Sequence, residues 1–170
     1  HVQAAIAYFK SRGIHTTLIT GDSEMTGQAV GKQLAIDEII ANVMPADKSA
    51  VISEQKAKYG LVAMVGDGVN DAPALVKADV GIAMGDGTDV AVEVSDLALM
   101  ENNLQKLIEA HRIAIRMNRI VRQNIFFSML VVVFLVTVGL LGLTNIAISV
   151  IIHEGSTLVV ILNGLRLLRK

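Results

Sequence analysis

With 170 residues, a formal net charge of -1 and 4% aromatic residues, the chain has neither the basic field nor the stacking surface that nucleic acid requires. The lack of cysteine excludes a disulfide framework and a thiolate metal site built from this chain. Hydrophobic residues make up 52% and the mean hydropathy is +0.54, high for a soluble domain, and the apolar excess falls almost wholly between residues 125 and 165.

The chain opens at His1-Val2-Gln3 inside a helical pattern, with no initiator Met and no signal peptide. That predicts a piece of a longer protein. Helical spacing is expected over 2–12, 24–35, 47–58, 70–78 and 88–94. Strand-like runs lie between them: His15–Thr20, Ile39–Val43, Leu61–Val65, Val80–Met84 and Leu97–Met100. Such alternation with short connections predicts an α/β domain with a parallel sheet covered by helices on both faces. Ligands of such sheets gather at the carboxyl ends of the strands. Polar clusters follow three of these strands: Thr20-Gly21-Asp22, Gly66-Asp67-Gly68 and Gly85-Asp86-Gly87-Thr88-Asp89.

Beyond residue 103 the pattern changes. A helical segment over 104–124 carries Arg112, Arg116, Arg119 and Arg122, expected at the headgroup surface. Ile125–Leu143 is a run of 19 residues without a charge, long enough for a bilayer core at helical rise. Thr144-Asn145 is a plausible turn. A second apolar run, from Ile146 to about Leu165, has His153 and Glu154 near its middle, and Arg166, Arg169 and Lys170 close the chain. Cations at both outer ends of the hairpin place those ends, and the preceding domain, in the cytoplasm. The domain reading is therefore 1–103 for the α/β part, 104–124 for an amphipathic linking helix, 125–166 for two membrane helices and 167–170 for a cytoplasmic tail. A buried helical pair in a soluble protein is the competing reading of the apolar runs.

The strongest local signal is Met64-Val65-Gly66-Asp67-Gly68-Val69-Asn70-Asp71-Ala72-Pro73-Ala74-Leu75. A strand delivers Asp67 into a glycine-flanked turn, where backbone can approach a ligand closely. Asn70 and Asp71 then open a helix that tolerates Pro73 in its first turn. Two carboxylates near one strand end suit Mg²⁺, a hard cation that pairs carboxylates with phosphate oxygens and water. Asp67 as a mere helix cap, Lys48 as an exposed helix lysine and Thr20 as a strand end are the structural alternatives.

Gly66-Asp67-Gly68-Val69-Asn70-Asp71 resembles the hinge motif of P-type ATPases. Thr20-Gly21-Asp22 with Thr26 resembles the second motif of their phosphorylation domain, and Pro45-Ala46-Asp47-Lys48 the segment that carries their phosphate-binding lysine. The three occur in family order. The resemblance implies a Rossmann-like, haloacid-dehalogenase-type phosphorylation domain followed by an α-helical transmembrane hairpin. It implies an ATP-driven pump working through an aspartyl-phosphate, with Mg²⁺ as cofactor and ATP as substrate. Lys48 would neutralise phosphoryl oxygens. Thr20 and Gly21 would donate hydrogen bonds to them. Asp67 would hold Mg²⁺, with Asn70 and Asp71 supporting phosphate and the Mg²⁺ shell. Asp22 would lie near the nucleotide-side hinge. The family's Asp-Lys-Thr-Gly motif with the phosphorylated aspartate does not occur, and Asp47-Lys48-Ser49-Ala50 falls at the lysine motif instead. The nucleophile, the nucleotide domain and earlier membrane helices are thus expected in a missing N-terminal part, and the chain alone is expected to be inactive.

His153-Glu154-Gly155-Ser156-Thr157 sits inside the second apolar run. A central membrane charge costs roughly 2.5–3.5 kcal/mol on insertion scales, so such residues tend to mark ion paths. Helical spacing lets His153, Glu154 and Thr157 converge on one side. Imidazole nitrogen with carboxylate and hydroxyl oxygens suits a divalent transition metal such as Zn²⁺, Co²⁺ or Fe²⁺ better than soft Cu⁺. A packing pair and a proton relay are the competing readings. The stretch resembles the last-helix motif of the cobalt/zinc-type subgroup, in which a Ser-Pro-Cys motif on an earlier helix completes the site. A membrane-anchored haloacid-dehalogenase-type phosphatase and a cadmium- or copper-selective pump are the alternatives. Asn124 and Asn163 are expected to bond helix to helix, and Met117 and Met129 to serve packing.

Overall fold

The computed structural model describes residues 2–85 and 89–168, with the backbone alone at Val69. It falls into two units, residues 1–109 and 110–170. In the first, α1 (Val2–Ser11), β1 (Thr17–Ile19), α2 (Glu24–Leu34) and β2 (Glu38–Ile40) precede α3 (Lys48–Tyr59), β3 (Ala63–Gly66), α4 (Ala72–Lys77), β4 (Val80–Ala83), α5 (Asp89–Val94) and β5 (Leu97–Ala98). All strand pairs are parallel, as expected of βαβ units. The expected single sheet is divided in two: β1 pairs with β2, and β3-β4-β5 form a second sheet. Strands of two to four residues make few ladder bonds, and among the described residues none joins β1 to β3. Ile19 of β1 nevertheless packs against the core formed by Ile52, Met64, Ala74, Leu75, Ala83 and Ala91.

That core explains the apolar periodicity. Ile52 of α3 and Leu75 of α4 are the largest side chains with almost no exposure. The helices lie close enough to the strands that Gly81 has no room for a side chain. A Cβ there would sit 2.7 Å from the Leu75 carbonyl oxygen. Gly81→Ala is expected to destabilise the unit by about 1–3 kcal/mol, the usual cost of overpacking. Thermal unfolding measures it, and an unchanged midpoint would refute the close approach.

At the amino ends of β1 and β2 lies a polar cluster. Glu38 accepts from Lys58 Nζ and from Tyr59 Oη, each at 2.9 Å, and lies 3.3 Å from His15 Nε2. The His15 ring stacks on Tyr59 with centroids 4.2 Å apart. The Lys58 ammonium, helped by Tyr59 and His15, holds the Glu38 carboxyl down at about 2 from an ordinary 4.5. A depressed carboxyl stabilises the fold fully above its unfolded value and loses that contribution as pH falls from about 4.5 to about 2. Glu38→Gln is therefore expected to flatten the acid limb of a stability-versus-pH curve in that window. An identical limb would refute the assignment.

In the second unit the chain is helical. Helix α6 (Leu104–Leu140) runs unbroken through the expected linking segment into the apolar run. It stops three residues short of the expected end, where Gly142 takes φ 66° and its N–H bonds to Gly139 O at 3.1 Å. Helix α7 (Ile146–Leu165) starts at Asn145, whose side-chain oxygen accepts from Ile148 N at 2.9 Å. Both helices are long and apolar enough to cross a membrane, and their windows are almost wholly exposed within the protein. A buried soluble pair would show the reverse.

Candidate phosphoryl-transfer and membrane sites

Pro45 opens a 3-10 turn, Pro45–Asp47, that leads directly into α3 and puts Lys48 at its first position. On the other side, β3 closes at Gly66, the Val69–Asp71 3-10 turn follows, and Asp71 N bonds to Gly68 O at 3.0 Å. The two turns pack against each other. Lys48 Nζ consequently lies 2.6 Å from Asp71 Oδ1, with 18% and 11% of the two side chains exposed. A charge-assisted bond this short in a partly dried environment is strong. Gly66 is required beneath it, since a Cβ there would come within 2.8 Å of Asp71 Cβ.

Asp67 and Asn70 are exposed at the carboxyl end of β3. Among the described residues, the Asp67 carboxylate has no hydrogen-bond or ion-pair partner, while Asp71 has only one oxygen engaged by Lys48. One unengaged carboxylate at the end of β3 and a second, partly engaged one four residues later are donors of the kind that Mg²⁺ takes.

Thr20 extends the β1–β2 ladder by one residue: its N–H donates to Ile40 O at 3.0 Å and its carbonyl accepts from Val43 N at 3.1 Å. Its hydroxyl donates to Asp22 Oδ2 at 3.0 Å and accepts from Asp22 N at 3.1 Å. Gly21 is exposed at the same strand end. The structure thus joins Lys48 with Asp71 and Thr20 with Asp22. No bond between the two pairs occurs among the described residues. Of the Gly85–Asp89 cluster, residues 86–88 lie outside the described residues, and α5 begins at Asp89.

In the second unit, His153 and Glu154 line an open cleft of 510 Å³, together with Leu135 and Gly139 of α6 and Thr144 and Ser149 near the turn. Thr157 does not line it. Its hydroxyl donates to His153 O at 3.3 Å, and Ser156 does the same at 2.6 Å. Helical hydroxyls commonly donate to a preceding carbonyl, and such a bond leaves the lone pairs of the Thr157 oxygen unengaged. The cleft also holds the hydroxyls of Thr144 and Ser149, 3.4 Å apart, which the sequence pattern alone did not single out. The usable signal was Ser149 standing one helical turn before His153. At the opposite end of the hairpin, Asn163 Nδ2 donates to Asn124 Oδ1 at 2.8 Å, and Asn124 Nδ2 to Val160 O at 3.4 Å. Arg166 Nη1 donates to Asn163 Oδ1 at 2.8 Å, and Arg116 donates to Arg166 O. The expected asparagine bonding is present.

A family described as "Hydrolase: haloacid dehalogenase-like hydrolase" matches residues 1–79. The chain is 50% identical over 157 residues to a zinc-transporting ATPase of Bacillus subtilis, covering 92% of this chain and 25% of that protein. It is 43% identical to a copper-exporting P-type ATPase of Legionella pneumophila, covering 96% and 23%. A crystal structure of a zinc-transporting PIB-type ATPase in the E2.Pi state superposes with a TM-score of 0.93 at 36% identity, over 98% of this chain and 27% of that one. The chain spans about a quarter of the length of the curated relatives it matches.

Proposed function

Since the chain belongs to the heavy-metal-transporting P-type ATPases, we propose that it serves within a longer ATP-driven pump that exports a divalent transition metal. The observation that carries the phosphoryl-transfer part is the 2.6 Å Lys48–Asp71 pair, built between two packed turns, with Asp67 exposed at the end of β3 four residues before Asp71. An aspartyl-phosphate forms on an aspartate outside this chain. The strands that deliver Thr20 and Asp67, β1 and β3, each have one edge unpaired among the described residues, which leaves room for a strand bearing that nucleophile. Lys48 exchanges its bond to Asp71 for the phosphoryl oxygens as their charge arrives. The Thr20 hydroxyl, on turning its hydrogen away from Asp22 Oδ2, and the Gly21 N–H orient those oxygens, while the Asp22 N–H still bonds to the Thr20 oxygen. Asp67, with Asp71, would hold Mg²⁺, which supplies charge neutralisation at the transferring phosphoryl group. Asn70 adds a neutral donor at the rim.

The transported cation is the cargo of the second unit. One imidazole and one carboxylate, from His153 and Glu154, favour a borderline divalent ion over Cu⁺, with further ligands drawn from helices outside the chain. Thr157 is the third candidate: its hydroxyl hydrogen goes to His153 O, which leaves its oxygen lone pairs to a cation, but it does not line the cleft that His153 and Glu154 share. The catalytic unit and the chain's last residues lie on the cytoplasmic side, by the basic flanks of the hairpin. The test is ATP hydrolysis by the complete pump across a panel of Zn²⁺, Co²⁺, Cd²⁺ and Cu⁺. Stimulation by the divalent ions is expected; stimulation by Cu⁺ alone would overturn the metal class.

A further inference from the structure

The side of α6 bearing Ile115, Asn118, Arg119, Arg122, Gln123 and Phe126 forms an open groove of 530 Å³. These positions recur three and four residues apart, so they make one continuous stripe. Its centre is polar and basic, and its two ends are apolar. Arg119 and Arg122 are exposed. Among the described residues, neither has a hydrogen-bond or ion-pair partner. Arg116, one turn away, is engaged with Arg166 O. Glu154 is the only acidic residue between Ala110 and Lys170, and it lies in the cleft near the turn. The unit therefore supplies no carboxylate to neutralise these two guanidinium groups.

Their depth is set by helical rise. At about 1.5 Å per residue, Arg122 and Arg119 stand roughly 5 and 9 Å outside Ile125, where the apolar run begins. The polar zone of a bilayer leaflet is about 5–8 Å deep. We infer that this groove binds the phosphodiester headgroup of an anionic phospholipid. Arg119 and Arg122 fork onto the phosphate oxygens, the geometry in which guanidinium outperforms ammonium. The amides of Asn118 and Gln123 donate to the remaining headgroup oxygens; Gln123 is free to donate, because it is its Oε1 that accepts from Asn163 at 3.4 Å. Phe126, 72% exposed, lies against the start of an acyl chain. That apolar contact favours a lipid over free phosphate. The inference rests on the membrane spans and not on the metal site.

The test uses the complete pump equilibrated with phosphatidylcholine and phosphatidylglycerol, with retained lipid counted by native mass spectrometry. The unaltered protein is expected to retain phosphatidylglycerol over phosphatidylcholine. Arg119→Gln/Arg122→Gln should lower that retention about tenfold while metal affinity is unchanged. Arg119→Lys/Arg122→Lys, which keeps the charge, should lose most of it as well. Equal retention of the two lipids would overturn the site, as would a groove covered by another part of the pump, seen as no retained phosphatidylglycerol at all. So would full retention by the lysine variant, which would reduce the groove to diffuse charge.

Discussion

Lys48→Ala in the complete pump is expected to lower the rate of phosphoenzyme formation by about 10²–10³-fold, the usual effect of removing one preorganised donor to a developing oxyanion. Positioning and charge stabilisation supply nearly all of the catalysis in phosphoryl transfer, and Lys48 contributes the point charge. The same change strands the Asp71 carboxylate, of which 11% is exposed. Breaking a buried pair costs about 3–5 kcal/mol, and partial exposure brings this towards about 2–3. Two losses then arise from one substitution. Adding Asp71→Asn separates them: the double variant should regain thermal stability while phosphorylation stays low. A Lys48→Ala pump that phosphorylates within a few-fold of normal would remove the lysine from the reaction.

The second large effect belongs to the membrane. Glu154→Ala and His153→Ala are each expected to weaken metal binding by at least about 100-fold, since even outer partners of a metal site contribute 10–100-fold. Metal-stimulated ATP hydrolysis should fall to the metal-free level. Phosphorylation from inorganic phosphate, which uses the groups around Lys48 and needs no cargo, should persist. Thr157→Val is expected to cost less than either, because Thr157 does not line the cleft that His153 and Glu154 share. Equilibrium dialysis with Zn²⁺ gives the affinities, and normal affinity in the Glu154 variant would make the pair a packing feature.

The alternation of strands and helices could be read from the sequence because apolar periodicity and punctuating glycines act locally. Gly66 illustrates this, since its place before Asp67 follows from the space Asp71 needs. The membrane hairpin was equally legible, because length and lack of charge suffice. What could not be read was non-local. The Lys48–Asp71 bond joins residues 23 apart through the packing of two 3-10 turns, which no spacing rule encodes. The division into two sheets arises from strands too short to announce their partners. Periodicity also placed Thr157 on the side of His153 without showing that its hydroxyl donates to His153 O or that it lies outside the cleft lining.

The asparagine contacts between the two apolar helices bear on how the polypeptide reaches lipid at all. The later helix contains His153, Glu154 and Asn163, each a burden during translocon release if that segment moved sideways alone. With Asn124 across from it, the amide of Asn163 arrives already satisfied, and unsatisfied polar groups are what hydrocarbon rejects. Entry as a pair, joined through the 141–145 connection, is therefore expected to be favoured over two separate partitioning events. Deleting the earlier helix is expected to lower the insertion efficiency of the later one, which is still apolar enough to cross by itself; equal efficiency in a glycosylation-mapping assay would refute the pairing.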